Sequence, residues 1–247
     1  MFSAFDTFFL PFRGINLILI KGLRKFVIAP LVINLLLYSI FAWVGYSYFD
    51  DFINWLLPED SWLSFLEFLL WPLFALSYLI LTFYSFTVLA NILAAPFNGL
   101  LAEKVEEELT GELPPKIGGS IIKDLIPSMM REISKLSYFL TRAIPILILM
   151  LIPGVNVIGT LLWLFFGFWF LTIEYADYTM ENHGIHPKEQ RKKLRAKPIQ
   201  TLAFGAGASL LMMIPILSFA AMPASVAAGT MYWVKHLNSD GAVCENS

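Results

Sequence analysis

The sequence predicts an all-α integral membrane protein, and three observations lead to this prediction. Hydrophobic residues make up 57% of the 247 residues and charged residues only 15%, against roughly 25% charge in an ordinary soluble domain. Four stretches of 24 to 37 residues contain no charged side chain, and Lys and Arg are concentrated in the segments around them. This small share of charged residues is too low to cover a water-soluble globule with polar surface. We therefore expect one membrane domain over residues 1–247.

The N-terminal segment, residues 1–20, is predicted to be an amphipathic helix that lies in the membrane interface. Four phenylalanines recur at helical spacing between polar residues: Phe2, Phe5, Phe9 and Phe12. A cleavable signal peptide is disfavoured, because Asp6 precedes the first cation and Pro11 interrupts the apolar run.

Two long runs are predicted to be spanning helices. The first, residues 26–49, contains 24 residues, enough to cross about 30 Å of hydrocarbon. The second, residues 68–102, contains 35 residues and would reach about 52 Å as one helix. It should therefore overshoot the bilayer or bend at Pro72 or Pro96.

Residues 143–173 and 198–234 are predicted to be re-entrant hairpins that penetrate only part of the bilayer. The segment 50–67 contains no Lys or Arg, whereas 103–142 and 174–197 contain six each. The positive-inside rule then puts the N-terminus and both basic segments in the cytoplasm and 50–67 outside. Each later run should thus return to the side it entered from. The alternative is four or more full spans.

Proline marks the expected reversals, at Pro153-Gly154 in the first hairpin and near Pro215 in the second. In the second run, small residues recur every four positions and favour close helix packing: Gly205, Ser209, Ala220, Ala224 and Ala228. We expect the last three to form a packing face between protomers.

Several kinds of chemistry are excluded by what the sequence lacks. It has no phosphate-binding G-x-x-x-x-G-K-[ST] loop, no G-x-S-x-G elbow and no H-E-x-x-H pair. The single cysteine, Cys244, excludes an internal disulfide framework. His183 and His186 adjoin a glycine and a proline, and 187–197 reads as a solvated basic loop. We therefore expect no enzyme activity, no cofactor and no metal, and a net charge of −2 argues against nucleic acid.

The pentapeptide Lys21-Gly22-Leu23-Arg24-Lys25 has two interpretations. In one, three cations anchor the first span and reach lipid phosphates. In the other, the segment binds an oxyanion: amide groups at a helix start are free, glycine permits close approach, and Arg24 adds a planar fork of donors. Donors without acceptors suit a dianion such as sulfate.

A second polar stretch, residues 91–106, contains Asn91, Asn98, Glu103 and Glu106. The two glutamates share a helix face. The cations within reach along the chain are Lys123, Arg131, Lys135 and Arg142. The stretch is either a solvated helix end with weak ion pairs or a charged network that lines a vestibule.

The sequence from Asn91 to Glu106, with its Pro-Phe-Asn-Gly-Leu-Leu-Ala-Glu core, and the Gly-Leu-Arg triplet resemble the CysZ family of bacterial sulfate permeases. This resemblance implies sulfate uptake for cysteine biosynthesis, two spanning helices plus two partly penetrating hairpins, and assembly into dimers or larger homo-oligomers. It also implies that Gly22, Leu23 and Arg24 bind sulfate. Lys21, Lys25, Asn91, Asn98, Glu103 and Glu106 are then auxiliary or vestibule residues.

The resulting expectation is a multi-pass sulfate permease in the bacterial inner membrane, in contact with the lipid bilayer. It would act as an anion channel or couple sulfate to an ion gradient, without its own ATPase. The alternative is a membrane scaffold or assembly protein that moves no solute, because the charge-free runs contain no charged residue of the kind transporters often keep there.

Overall fold

The computed structural model describes residues 3–56, 72–73, 76–77, 79–80, 97–114 and 121–238. All regular structure in these ranges is helical, which confirms the all-α class. The helices are α1 (Ala4–Phe8), α2 (Leu10–Ile18), α3 (Arg24–Leu56), α4 (97–110), α5 (Ile121–Met150), α6 (Asn156–Asn182), α7 (Pro187–Ala196), α8 (Pro198–Met213) and α9 (Pro215–Tyr232), followed by a π-helical turn, Trp233–Leu237. Two compact units result: Met1–Val27 with Asn98–Ser247, and Ile28–Phe97.

The N-terminal segment forms two short helices rather than one. Ser3 and Asp6 form a capping box that starts α1, and Pro11 lies in the first turn of α2, where its missing N–H costs nothing. Thr7 and Gly14 are buried against the rest of the first unit, whereas Phe5 is 70% exposed. One face of this segment thus packs into the protein, and its position in the membrane interface stays a prediction.

Small residues let the helices of the first unit approach closely. A Cβ atom on Gly14 would lie 2.0 Å from the carbonyl oxygen of Ala224, and one on Gly205 would lie 1.8 Å from that of Phe168. This confirms the close packing predicted for the last run. The role expected for Ala224 and Ala228 between protomers is wrong, because both are fully buried within one chain, in the helix that packs on α2.

The first predicted hairpin reverses where the sequence indicates. Helix α5 ends at Met150, α6 begins at Asn156, and Gly154 between them has φ of +85°, a conformation that favours glycine. The two arms are longer than 143–173, since α6 continues to Asn182. Nor is 187–197 a loop: Pro187 starts α7, because proline suits a first helical turn.

The second predicted hairpin reverses at Ile214-Pro215, between α8 and α9, as expected. Pro223 lies inside α9 and does not end it. Helix α8 packs on both α6 and α9, so this hairpin and the first form one packed body with α1 and α2.

Two helical windows in the described part of the chain are long and apolar enough to cross a membrane, Ile133–Met150 and Asn156–Asn182. Only 17% of each is buried within the protein, so their apolar side chains lie mostly on the surface. A surface of this kind is compatible with contact to lipid and is unusual for a soluble core helix. How deeply these helices enter a bilayer stays a prediction.

The two predicted spanning helices are described to different extents. Helix α3 covers all of residues 26–49 and continues to Leu56, beyond the predicted end and past two aspartates. The described residues between 72 and 80 and from 97 to 102 are helical. The remainder of the run 68–102, including Asn91, lies outside the described residues.

Candidate anion-binding site

Residues 21–23 form the turn between α2 and α3. Leu23 is only 3% exposed and anchors the turn in the hydrophobic core. Gly22, together with Lys21 and Arg24 on either side, is exposed. An apolar side chain thus holds the turn, and the polar residues around it face outward.

The three cations of this turn form no ion pair with a carboxylate anywhere in the part of the chain that the structure describes. The Nε of Arg24 donates a hydrogen bond to the carbonyl of Leu19, which orients the guanidinium and leaves its two terminal nitrogens available. Lys25 Nζ lies 5.1 Å from the ring centre of Phe26. Residues 21–25 therefore concentrate positive charge that has no counter-ion among the described residues.

Gly22 has an accessible backbone. It lies outside the positive-φ region, where only Gly111, Gly154 and Gly184 occur among the described residues. A Cβ atom at position 22 would meet no described protein atom within 4 Å. Neither backbone strain nor packing against the described residues accounts for glycine here, and the missing side chain leaves the backbone open to close approach.

The amide donors of the turn are fewer than the sequence suggests. The N–H groups of Leu23 and Arg24 both donate to the carbonyl of Ile20, at 3.0 and 3.2 Å. The expectation that these amides are free at the helix start is therefore wrong, because α3 is preceded by a tight turn that satisfies them. The Gly22 amide has no acceptor among the described residues, and the side chain of Arg24 supplies the remaining donors.

The second polar stretch is not a solvated helix end. Glu106 is 4% exposed, and its Oε1 lies 2.7 Å from Nε2 of His183. Asn182 donates to the carbonyl of Gly99 at 2.9 Å. Of the four predicted cations, Lys135 and Arg142 do not pair with Glu106, and the side chains of Lys123 and Arg131 lie outside the described ones. The partner that the structure gives Glu106 is a histidine, which α6 brings to α4 by extending beyond its predicted end. Glu103 is partly exposed.

This buried cluster, Asn98, Glu106, Asn182 and His183, keeps unused polar atoms. Asn98 Nδ2 and Glu106 Oε2 are buried without a hydrogen-bond partner among the described residues, as is Nε1 of Trp233. The rings of Trp233 and His183 lie 5.2 Å apart. An unpaired buried polar atom costs about 1–3 kcal/mol, so the cluster has the capacity to bind water or a polar ligand. No hydrogen bond or ion pair among the described residues joins it to the turn at 21–23.

Lys135 joins a third polar group that sequence reasoning did not anticipate. Its Nζ lies 3.1 Å from Asp177 and 3.4 Å from Glu174, and 5.5 Å from the ring centre of Tyr178. The two acids are three residues apart on α6, a spacing that puts them on one helix face. That spacing was visible in the sequence, but α6 was expected to end at 173.

The described part of the chain is helical, with long exposed apolar helices and a cationic segment at 21–25 that pairs with no described carboxylate, and these are features of a membrane protein suited to an anion. Residues 10–223 match the family model described as sulfate transporter CysZ/etoposide-induced protein 2.4. The chain belongs to this family, which confirms the resemblance in the sequence. The family is one of transporters and not of enzymes.

Three curated relatives illustrate the extent of the similarity, and each is called sulfate transporter CysZ. The protein of Pseudomonas aeruginosa strain LESB58 is 40% identical over 226 residues, which cover 90% of this chain and 92% of the relative. That of Pseudomonas fluorescens strain Pf0-1 is 41% identical, with 94% of each chain covered. That of Pectobacterium atrosepticum is 41% identical and covers 90% of this chain and 82% of the relative.

Proposed function

We propose that this protein is a sulfate permease of the bacterial inner membrane that supplies sulfate for cysteine biosynthesis. The names of its relatives support the substrate, and the exposed apolar helices support the location. The single observation that most favours an anion is the segment 21–25, where three cations have no carboxylate partner among the described residues.

The chemistry of the turn fits a fully ionised tetrahedral dianion. Arg24 supplies two terminal nitrogens in a planar fork, and its Nε bond to Leu19 holds that fork in place. The Gly22 amide adds a neutral donor on a backbone that a ligand reaches without steric hindrance. Every group in this set donates a hydrogen bond and none accepts one. This favours sulfate over monohydrogen phosphate, because the proton of monohydrogen phosphate needs an acceptor.

Four variants test this site by isothermal titration with sulfate. Arg24→Ala should weaken binding by about 2 kcal/mol, and Lys25→Ala by under about 1 kcal/mol, because charge-assisted bonds exceed screened attraction. Arg24→Lys should rescue only part of the loss, since a point charge lacks the fork. Gly22→Val should weaken binding without reducing stability. Wild-type affinity in Arg24→Ala, with loss in Lys25→Ala, would instead indicate a diffuse cationic patch.

Transport itself is tested by flux of labelled sulfate into proteoliposomes, with chloride and phosphate as competitors. A permease gives uptake that Arg24→Ala reduces, whereas a scaffold protein gives none. The argument for a scaffold was the lack of charged residues in the apolar runs. The structure weakens that argument, because Lys135 and Asp177 lie in the two apolar helices and pair with each other. Uptake without a pH or sodium gradient would favour a channel, and dependence on one gradient would favour coupling.

We further propose that the segment 50–67 is periplasmic and that 103–142 and 174–197 are cytoplasmic, from the counts of none against six and six cations. Single cysteines at Ser61, Glu112 and Lys188, in a Cys244→Ser background, test this with an impermeant thiol reagent. Glu112 and Lys188 are exposed, so the reagent reaches them. Labelling of these two from opposite sides of the membrane would contradict the hairpin arrangement.

We propose that the permeating form is a homo-oligomer, a dimer or larger. Two spanning helices cannot enclose a polar path through about 30 Å of hydrocarbon, so hairpins or neighbouring protomers must complete it. The interface should use exposed apolar surface, such as that of α5 and α6, because the small residues of α9 already pack on α2. Sulfate conduction at full rate by monomers in bilayer recordings would exclude this proposal.

A further inference from the structure

A groove on the surface of the first unit has no role in the site described above. It has a volume of about 440 Å³ and lies between α5 and Arg191 of α7. Three hydroxyl side chains of α5 line it at successive turns of one helix face, Ser134, Ser137 and Thr141. Met130 and Ile133 form its apolar end. Among the side chains that the structure describes, no carboxylate lines the groove.

Two guanidinium groups meet at the aromatic ring that forms one wall of this groove. The central guanidinium carbon of Arg142 lies 3.7 Å, and that of Arg191 4.7 Å, from the ring centre of Tyr138. The Tyr138 hydroxyl accepts a hydrogen bond from Nε1 of Trp169 at 3.0 Å, so its own proton remains available to an acceptor. Tyr138 is thereby fixed as a platform for both cations.

Neither arginine forms an ion pair with a carboxylate in the described ranges. Partial burial lowers the pKa of Arg191; Tyr138 and Asp177 oppose this shift, whereas the charges of Arg142 and Arg195 add to it. Two guanidinium groups that share one ring repel each other, and a bound anion would offset that repulsion. The hydroxyls of Ser134 and Ser137 have no protein partner within the same ranges either, so the groove offers donors that remain unmatched.

The surroundings of the groove indicate where the anion comes from. The first apolar window of α5 begins at Ile133, and both Ile133 and Met130 are more than half exposed. The groove therefore covers the first half of this apolar window and the turn before it, with a tyrosine, a tryptophan and two arginines beside it. Such residues accumulate at the level of lipid headgroups. A dissolved anion would gain nothing from the apolar end, whereas the acyl chains of a lipid would cover it.

We propose that this groove binds the phosphate of a phospholipid headgroup, with Arg191 and the serine hydroxyls as donors to the phosphate oxygens and the acyl chains along Met130 and Ile133. This site is separate from the turn at 21–23 and does not depend on sulfate as the transported solute. It would fix the height of the α5–α6 hairpin relative to the headgroup layer.

Native mass spectrometry of the full chain, titrated with phosphatidylglycerol in detergent, tests the proposal. Arg191→Gln should weaken binding of the first lipid by about tenfold or more, the effect of losing a charge-assisted hydrogen bond. Arg195→Gln is the matched control: Arg195 adds positive charge near Arg191 but does not line the groove, so its loss should weaken binding by no more than about threefold. Ser134→Ala with Ser137→Ala should give a smaller loss.

Three further measurements determine whether the ligand is a lipid phosphate. Diacylglycerol, which lacks the phosphate, should not occupy the site, and sodium sulfate should not displace phosphatidylglycerol. Displacement by sulfate would overturn the proposal in favour of a site for dissolved anions. Equal losses of affinity in Arg191→Gln and Arg195→Gln would show that the lipid binds through general surface charge, which would overturn the proposed site. Unchanged binding in Arg191→Gln would refute the proposal. Thermal unfolding without lipid should be similar in all variants, and Arg191→Lys should recover part of the binding.

Discussion

Replacing Lys135 by methionine should destabilise the protein more than any exposed charge change. Its side chain is 4% exposed and that of Asp177 is 3% exposed, with 3.1 Å between Nζ and Oδ2. The second carboxylate oxygen of Asp177 is already buried without a hydrogen-bond partner among the described residues. Removing the ammonium group leaves a buried carboxylate uncompensated, which costs about 3–5 kcal/mol. Glu174, 26% exposed, regains water and adds little.

That free energy corresponds to a measurable shift in melting temperature. At about 2–4 °C per kcal/mol for a chain of this size, the expected loss is about 6 to 20 °C. Thermal unfolding of the detergent-solubilised protein, followed by tryptophan fluorescence, measures it. The double variant Lys135→Met with Asp177→Asn should recover most of the loss, because it removes both charges together.

Lys104→Met is the control that distinguishes the effect of burying an ion pair from the effect of a short distance between its charges. Lys104 and Glu107 are only 2.6 Å apart, closer than Lys135 and Asp177, but both are more than a third exposed. An exposed pair of this kind contributes little to stability, because solvent screens the attraction. A melting temperature of Lys135→Met within about 2 °C of wild type would refute this reasoning. So would a loss in Lys104→Met as large as that in Lys135→Met.

Two further predictions concern packing and pH. Gly205→Ala should lower the free energy of unfolding by about 1–3 kcal/mol, because its Cβ would overlap the carbonyl of Phe168, whereas Gly22→Ala should be neutral in the same melting assay. Burial, aided by the charge of Lys197, lowers the pKa of His236 from 6.5. The unfolded chain therefore binds a proton at His236 more readily than the folded protein does, so the melting temperature should fall as the pH drops below about 6.5. His236→Gln should make that fall smaller. A pH profile in His236→Gln equal to that of wild type would contradict this prediction.

Local patterns determined much of the architecture. Helical class, apolar surface and chain reversals at Pro153-Gly154 and Pro215 all follow from residues close together in the sequence. Proline restricts the backbone and glycine permits conformations that other residues avoid, so the effect of each is local and requires no knowledge of distant segments. The exposed cations at 21–25 are a local feature of the same kind.

Partnerships between distant residues were decided by the tertiary structure. Glu106 was expected to use a cation from 103–142, but the extension of α6 brings His183 to it across 77 positions of the chain. The small residues of α9 were expected between protomers, but α2 occupies them within one chain. The sequence by itself determines which groups need a charge partner or a close neighbour. Only the folded chain decides which group meets that need, because several partners satisfy the same chemistry and helix lengths select among them.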